Sequence, residues 1–251
     1  MALLRFGPIA FDADLVAFDK DGTLIDFDAM WGRLAEFWVE HLTAGTGDEA
    51  VHDDLCRSLG YDALSREADP QGPLAIATTG QLETIAALTL YRNGLSWTAA
   101  ADQARQAFHA AAGLSLASLI QATGDVGRLF AGLRAAGVHV AVVTTDHRAE
   151  TIETLRILGV ASWVDHLVCG DDGIPVKPAP EMLLAACERL EISPVRTAVV
   201  GDTLGDLLMA ERAGAGLRVA VLTGAGDAES LLPHADALLA SIDEIGVAGD
   251  G

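Results

Sequence analysis

Lysine is almost missing from this chain: Lys20 and Lys177 are the only two in 251 residues, beside fourteen arginines. Positive charge is scarce altogether, with 16 Lys and Arg against 36 Asp and Glu and a formal charge of −20. Nucleic acid and anionic membranes demand clustered cations, so neither is an expected partner. A small anionic substrate stays open, because the field inside a pocket matters more than the total. Cysteine is equally sparse. Cys56, Cys169 and Cys187 are odd in number, scattered and without CxxC spacing, which excludes a disulfide frame or zinc site and suits free thiols in a reducing compartment. Cys169 and Cys187 are expected to be small buried hydrophobes. The opening MALLRFGPIAFDADL lacks the basic start and long apolar stretch of a signal peptide. No apolar run of membrane-spanning length is free of charge. A cytoplasmic protein is expected. Apolar residues, by contrast, are plentiful at 51%, enough for a substantial core.

Short apolar runs and amphipathic segments alternate over much of the chain. DLVAF (14–18) reads as a buried strand, and the next such run is VHVAVVTT (138–145) after the helical DVGRLFAGLRAAG. Helix AETIETLRILG, strand HLVCGD (166–171), helix APEMLLAACERL, strand RTAVVGD (196–202), helix LGDLLMAERAG and strand LRVAVLTG follow. The rhythm predicts an α/β fold: a Rossmann-like open parallel sheet with helices on both faces. Residues 28–120 break it, being helix-like apart from the turn-rich SREADPQGPLA. They are expected to form an all-helical domain inserted after the first strand, with 1–27 and 121–251 as the catalytic core.

Ligands of open parallel sheets bind at the carboxyl ends of strands. Asp19, Lys20, Asp21, Gly22 and Thr23 follow the first strand, Thr144, Thr145 and Asp146 the second, and Gly201 and Asp202 the fourth, with Asp206 one turn later. Lys177 precedes a helix that Pro178 or Pro180 helps to start. Carboxylates gathered this way would repel one another, so they imply Mg²⁺, which takes oxygen ligands. The chemistry indicated is phosphoryl transfer: cation and lysine neutralise the phosphoryl group and a threonine hydroxyl donates to it. One carboxylate can attack phosphorus, and a second, two residues on, can carry the proton. Gly22 allows the tight backbone between them.

DKDGTL (19–24), the threonine ending VAVVT (140–144), KPAPE (177–181) and GDTLGD (201–206) resemble the four ordered motifs of haloacid dehalogenase superfamily phosphatases. The helical insert resembles that superfamily's cap of the first type, and the nearest likeness is to phosphoglycolate phosphatase-like hydrolases. This resemblance implies Asp19 as nucleophile and metal ligand, and Asp21 as general acid/base with its main-chain carbonyl on Mg²⁺. It implies Thr144 and Lys177 on the phosphoryl group, with Gly22, Thr23 and Thr145 joining the phosphate-binding set. Asp202 would bind the metal directly, and Asp206 through water or by orienting Lys177. The substrate would be a small phosphorylated metabolite, hydrolysed through an aspartyl phosphate. An acid at Asp21 sets the chain apart from dehalogenases and phosphonate-cleaving relatives.

Other readings compete. A phosphosugar mutase of the β-phosphoglucomutase type would use the same core residues and require the insert to hold a second phosphate, through Arg33, Arg57, Arg66, Arg92 or Arg105. A calcium-binding protein with an EF-type loop would need Ala17 as first ligand and a helix where LVAF reads as strand. Asp206 could be a plain helix N-terminal acid, and Thr145 and Asp146 are expected to hydrogen-bond within their loop. Lys20 is expected to point away from the site. The GAG pieces at 214–216 and 224–226 do not complete a dinucleotide fingerprint. His41, His52, His109, His139 and His147 show no ligand spacing, and Trp31, Trp38 and Trp97 are expected to pack the insert.

Overall fold

In the computed structural model, which describes residues 2–44, 48–111 and 113–248, the chain opens with β1 (Ala2–Phe6) and β2 (Ile9–Ala13), then β3 (Leu15–Phe18). The first two pair antiparallel, from Ala2↔Ala13 to Phe6↔Ile9. Alternation in ALLRF sends Leu4 and Phe6 into the core, both 0% exposed. The sequence expectation assigned no strand to residues 2–13, although this alternation and the Gly7-Pro8 turn are the ordinary signals of a hairpin. All four residues of β3 are buried.

The chain divides into two compact units, Met1–Phe27 with Ile120–Gly251, and Asp28–Leu119. The second begins with a π-helical turn at Asp28–Gly32, followed by α1 (Arg33–Thr43) and α2 (Glu49–Leu59). A two-stranded ladder comes next, β4 (Tyr61–Asp62) with β5 (Glu67–Ala68), then α3 (Pro73–Ile76), α4 (Thr79–Arg92), α5 (Trp97–Ala111) and α6 (Leu116–Leu119). Asp48 caps α2 through Ala50 N, and Thr78 and Gln81 close a reciprocal capping box on α4. The ladder corrects the expectation of an all-helical insert. Asp62 Oδ1 accepts from the main-chain N–H groups of Leu64 and Ser65, and Arg66 takes a positive φ of 64°, so local turn chemistry overrides helix continuation. Trp38 stacks on Phe108 with ring centroids 4.1 Å apart, and Trp31 lies 6.3 Å from Trp38. Trp97, half exposed, meets Tyr91 of α4 in a T-shaped arrangement with ring centroids 6.2 Å apart, at the surface of the unit rather than in its core.

The first unit resumes with α7 (Val126–Ala135), β6 (His139–Val143), α8 (Arg148–Ile157), β7 (His166–Val168) and α9 (Glu181–Leu190). It ends with β8 (Thr197–Gly201), α10 (Leu204–Ala213), β9 (Leu217–Val221), α11 (Ala228–Leu231), β10 (Ala237–Leu239) and β11 (Ile245–Val247). Six strands form a parallel sheet in the order β10-β9-β8-β3-β6-β7, while β11 joins the edge of β1. Both faces of the parallel sheet are covered, which is why its strands read as unbroken apolar runs. One face sets Val16, Phe18, Val140, Val142 and Val200 against Phe130 and Leu133 of α7. The other sets Leu15, Ala17, Ala141 and Val143 against Met182, Leu183 and Ala186 of α9. Cys56, Cys169 and Cys187 are free and buried. Among the described residues no helix is long and apolar enough to cross a membrane.

Candidate active site

β3 lies between β6 and β8, in register Phe18↔Val142 and Phe18↔Val200, so the residues that follow these three strands emerge side by side. Asp19 N still donates to Val200 O at 2.9 Å, carrying the strand pairing up to the first carboxylate. Lys177 Nζ lies 2.5 Å from Asp19 Oδ1 and 2.5 Å from Asp206 Oδ1, with its side chain only 6% exposed. Asp206 divides its oxygens between two tasks. Oδ2 accepts from Thr203 N at 3.1 Å and Thr203 Oγ1 at 2.5 Å, closing the capping box that starts α10, while Oδ1 faces the lysine. Helix-terminal acid and lysine partner are thus one residue doing both. Asp202 is fully buried; its Oδ1 accepts from Thr23 Oγ1 at 3.1 Å and its Oδ2 from Ala225 N at 2.9 Å.

One ligand oxygen from each of Asp19, Asp202 and Asp206 falls within 4.8 Å of the others. Burial pushes the Asp19 carboxyl up to about 6, with Lys177 pulling it down and Asp206 adding to the rise. Burial, then repulsion from Asp19 and Asp206, holds Asp202 well above the usual carboxylate range. Burial opposes charge on Lys177, but Asp19 and Asp206 more than offset it and keep the ammonium firmly protonated. One ammonium among three buried carboxylates leaves negative charge uncompensated. An all-oxygen donor set with that surplus fits a hard divalent cation such as Mg²⁺. Gly22 makes the packing possible: its φ is +74°, and an added Cβ would stand 2.3 Å from Asp202 Oδ2 and 2.7 Å from Gly224 Cα.

The other candidate residues divide. Thr144, at the end of β6 and 1% exposed, accepts at Oγ1 from Asp146 N at 3.2 Å, an arrangement in which its own hydroxyl hydrogen can still be donated. Thr145, beside it, is exposed. Thr23 departs from the phosphate-contact expectation, since it is fully buried and its hydroxyl goes to Asp202. Asp21 gives no carboxylate to the acidic group; its Oδ1 lies 2.6 Å from Lys20 Nζ. Lys20 overturns the expectation that it points away: it is 0% exposed and also lies 2.8 Å from Asp146 Oδ2. Loop hydrogen bonding alone therefore does not describe Asp146. Burial pushes Asp21 up to about 8, with Asp146 adding to the rise and Lys20 opposing it. Sequence reasoning missed the Thr223–Ala225 loop, which meets Asp202 through Ala225 and sends Thr223 Oγ1 to Gly22 O at 2.6 Å. Its signal was its place after β9, a strand end like the others.

Comparison with known proteins places the chain among relatives in sequence and in fold. The family described as haloacid dehalogenase-like hydrolase matches residues 13–214. A phosphoglycolate phosphatase of Nitrosospira multiformis is 43% identical over 82 residues, 33% of this chain and 36% of that protein, so the matched stretch spans about a third of the relative's length. A phosphoglycolate phosphatase of Neisseria meningitidis serogroup A is 30% identical over 241 residues, covering 92% of this chain and 91% of that one. Among solved structures, a subfamily IA hydrolase of the same superfamily from Geobacter sulfurreducens superposes with a TM-score of 0.62 at 17% identity, over 94% of this chain and 96% of that one. That last likeness speaks to the fold alone.

Proposed function

The chain belongs to the haloacid dehalogenase-like hydrolases, and from that membership we propose that it is a Mg²⁺-dependent phosphatase acting on a small, phosphoglycolate-like phosphomonoester through an aspartyl phosphate on Asp19. The observation that carries this is Asp19 at the end of the central strand, bound to Lys177 and grouped with Asp202 and Asp206. The Neisseria relative, matched over nearly its whole length, supports the substrate class.

Asp19 and Asp21 divide the work by environment. With Asp19 pushed only to about 6 and Asp21 to about 8, the first is mostly ionised at neutral pH and the second mostly protonated. A carboxylate oxygen of Asp19 attacks phosphorus as the bond to the leaving oxygen breaks, and Asp21 gives that oxygen its proton. In the second step water attacks the same phosphorus and its proton passes to the Asp21 carboxylate. The Asp19–phosphorus linkage then breaks, releasing inorganic phosphate. The Lys177 ammonium and the Thr144 hydroxyl offset charge on the phosphoryl oxygens. Asp19, Asp202 and Asp206, with the Asp21 main-chain carbonyl that the resemblance implies, would hold Mg²⁺. When bound, the ion neutralises both the carboxylates and the phosphoryl group. Insertion of the Asp28–Leu119 unit after β3 supports reading it as the cap that selects the substrate.

The mutase alternative gains no observation of its own. Of the insert's arginines, Arg57, Arg66 and Arg105 are paired with Asp54, Glu36 and Asp102 of the same unit. Phosphate release from phosphoglycolate and from nitrophenyl phosphate, with Mg²⁺ and with chelator, tests the proposal. Turnover should need Mg²⁺, and Asp19→Asn should lower kcat by at least about 1,000-fold. Full activity in Asp19→Asn would sink it.

A further inference from the structure

A chain that carries two lysines buries both at one edge of its sheet. Lys177 lies among Asp19 and Asp206. Lys20 belongs to a separate arrangement, lying 2.6 Å from Asp21 Oδ1 and 2.8 Å from Asp146 Oδ2, with side-chain exposures of 0%, 13% and 12% for Lys20, Asp21 and Asp146. Removing an ammonium from water is expensive and is tolerated only where anions hold it closely. Such a pair adds little net stability over a well-packed apolar group of similar size, so stability alone does not account for its presence. What it does offer is fixed geometry between two strand ends.

Asp146 is itself anchored. Its N–H donates to Thr144 Oγ1 at 3.2 Å and its carbonyl accepts from Gly170 N at 2.9 Å, which ties it to the ends of both β6 and β7. It stands just before the N-cap residue of α8, His147. Across the sheet, β3 and β6 are neighbours in register, Phe18 opposite Val142. The ammonium of Lys20 therefore links the carboxyl that follows β3 to a carboxylate that β6 and β7 hold in place.

We propose that Lys20 and Asp146 are positioning residues for proton transfer: anchored by Asp146, the Lys20 ammonium holds the Asp21 carboxyl in the orientation from which its proton reaches the leaving oxygen. This rests on the phosphatase function proposed above. Neither residue touches the phosphoryl group. The proton leaves Asp21 as the phosphorus–oxygen bond to the leaving group breaks, and it returns from water when the aspartyl phosphate is cleaved.

The dependence of activity on the leaving group tests this. Nitrophenolate departs without a proton, whereas the alkoxide of an alkyl phosphate such as phosphoglycolate needs one. Lys20→Met should lower kcat/KM for the alkyl ester by about 100-fold, the scale of a lost general acid, and for nitrophenyl phosphate by less than about 5-fold. KM for the alkyl ester should stay near wild type. Asp146→Asn, which preserves shape, should show the same asymmetry at about 10-fold, and it decides the matter alone if Lys20→Met does not fold. Equal losses on the two esters in a folded variant would overturn the proposal, as would no loss on either. The two proposals fail differently. Wild-type protein that hydrolyses neither ester removes the phosphatase function and this inference together, whereas symmetric losses in a wild-type-active enzyme remove the inference only.

Discussion

At the scale of single residues, Thr23 shows how a buried hydroxyl supports the acidic group. Its hydroxyl donates to Asp202 Oδ1 at 3.1 Å with both groups buried. Thr23→Val keeps the shape and removes the donor, leaving one oxygen of a buried carboxylate short of a partner. The expected cost is about 1–3 kcal/mol in urea unfolding, together with a higher Mg²⁺ concentration for half-maximal activity; Thr23→Ser should recover both. A variant as stable and as responsive to Mg²⁺ as wild type would show the contact to be idle. Asp19 and Asp202 could be singled out in the sequence because each follows a strand directly, where main-chain periodicity already fixes its place, and Lys177 because it stands just before a helix. Thr23 and Lys20 could not be read correctly that way. Which way their side chains turn depends on Asp202 and Asp146, partners far along the chain that become neighbours only when the sheet is assembled.

Elements carry the next level of control, and α10 is the clearest case. Its first turn is closed by Thr203 and Asp206, and the same Asp206 meets Lys177, so a helix cap also fixes a member of the acidic group. Thr203→Ala should cost about 1 kcal/mol of stability for the cap. It should also lower kcat, because Asp206 Oδ2 then keeps only the main-chain N–H of its two Thr203 donors; Thr203→Ser should rescue both. Loss of stability with unchanged kcat would separate the cap from the site. The long parallel core was readable because strands buried on both faces leave unbroken apolar runs, such as LVAF and TAVVG, between amphipathic helices. The β1–β2 hairpin and the β4–β5 ladder were not assigned from sequence. The hairpin did carry a signal in the alternation of ALLRF and its Gly7-Pro8 turn, whereas the ladder's two-residue strands are too short for periodicity to stand out and depend on the Asp62 turn rather than on any pattern of apolar residues.

On the scale of the whole molecule, both lysines stand at the carboxyl ends of the parallel strands, where Arg148 also pairs with Asp172, while three further arginines lace the amino ends. Arg196, just before β8, meets Asp12 and Asp14, which precede β3. Arg218 of β9 meets Asp236, which precedes β10, and Arg134 meets Asp165, which precedes β7. Hydrogen bonds from Arg196 and Arg218 hold Asp14 and Asp236 below the ordinary carboxylate value of 3.8. A carboxyl held low in the folded chain binds protons less readily there than when unfolded. Its contribution to stability is therefore complete above the unfolded value and is lost as the pH falls through the lower, folded one. Each pair is partly exposed and weak by itself. Together they bind adjacent strands in a chain whose net charge of −20 otherwise favours expansion. Arg196→Gln should lower the urea midpoint at pH 7 and, with Asp14 no longer held low, should lose less further stability than wild type between pH 5 and pH 2. Parallel pH profiles for the two proteins would show that the amino-end pairs do not couple protonation to folding.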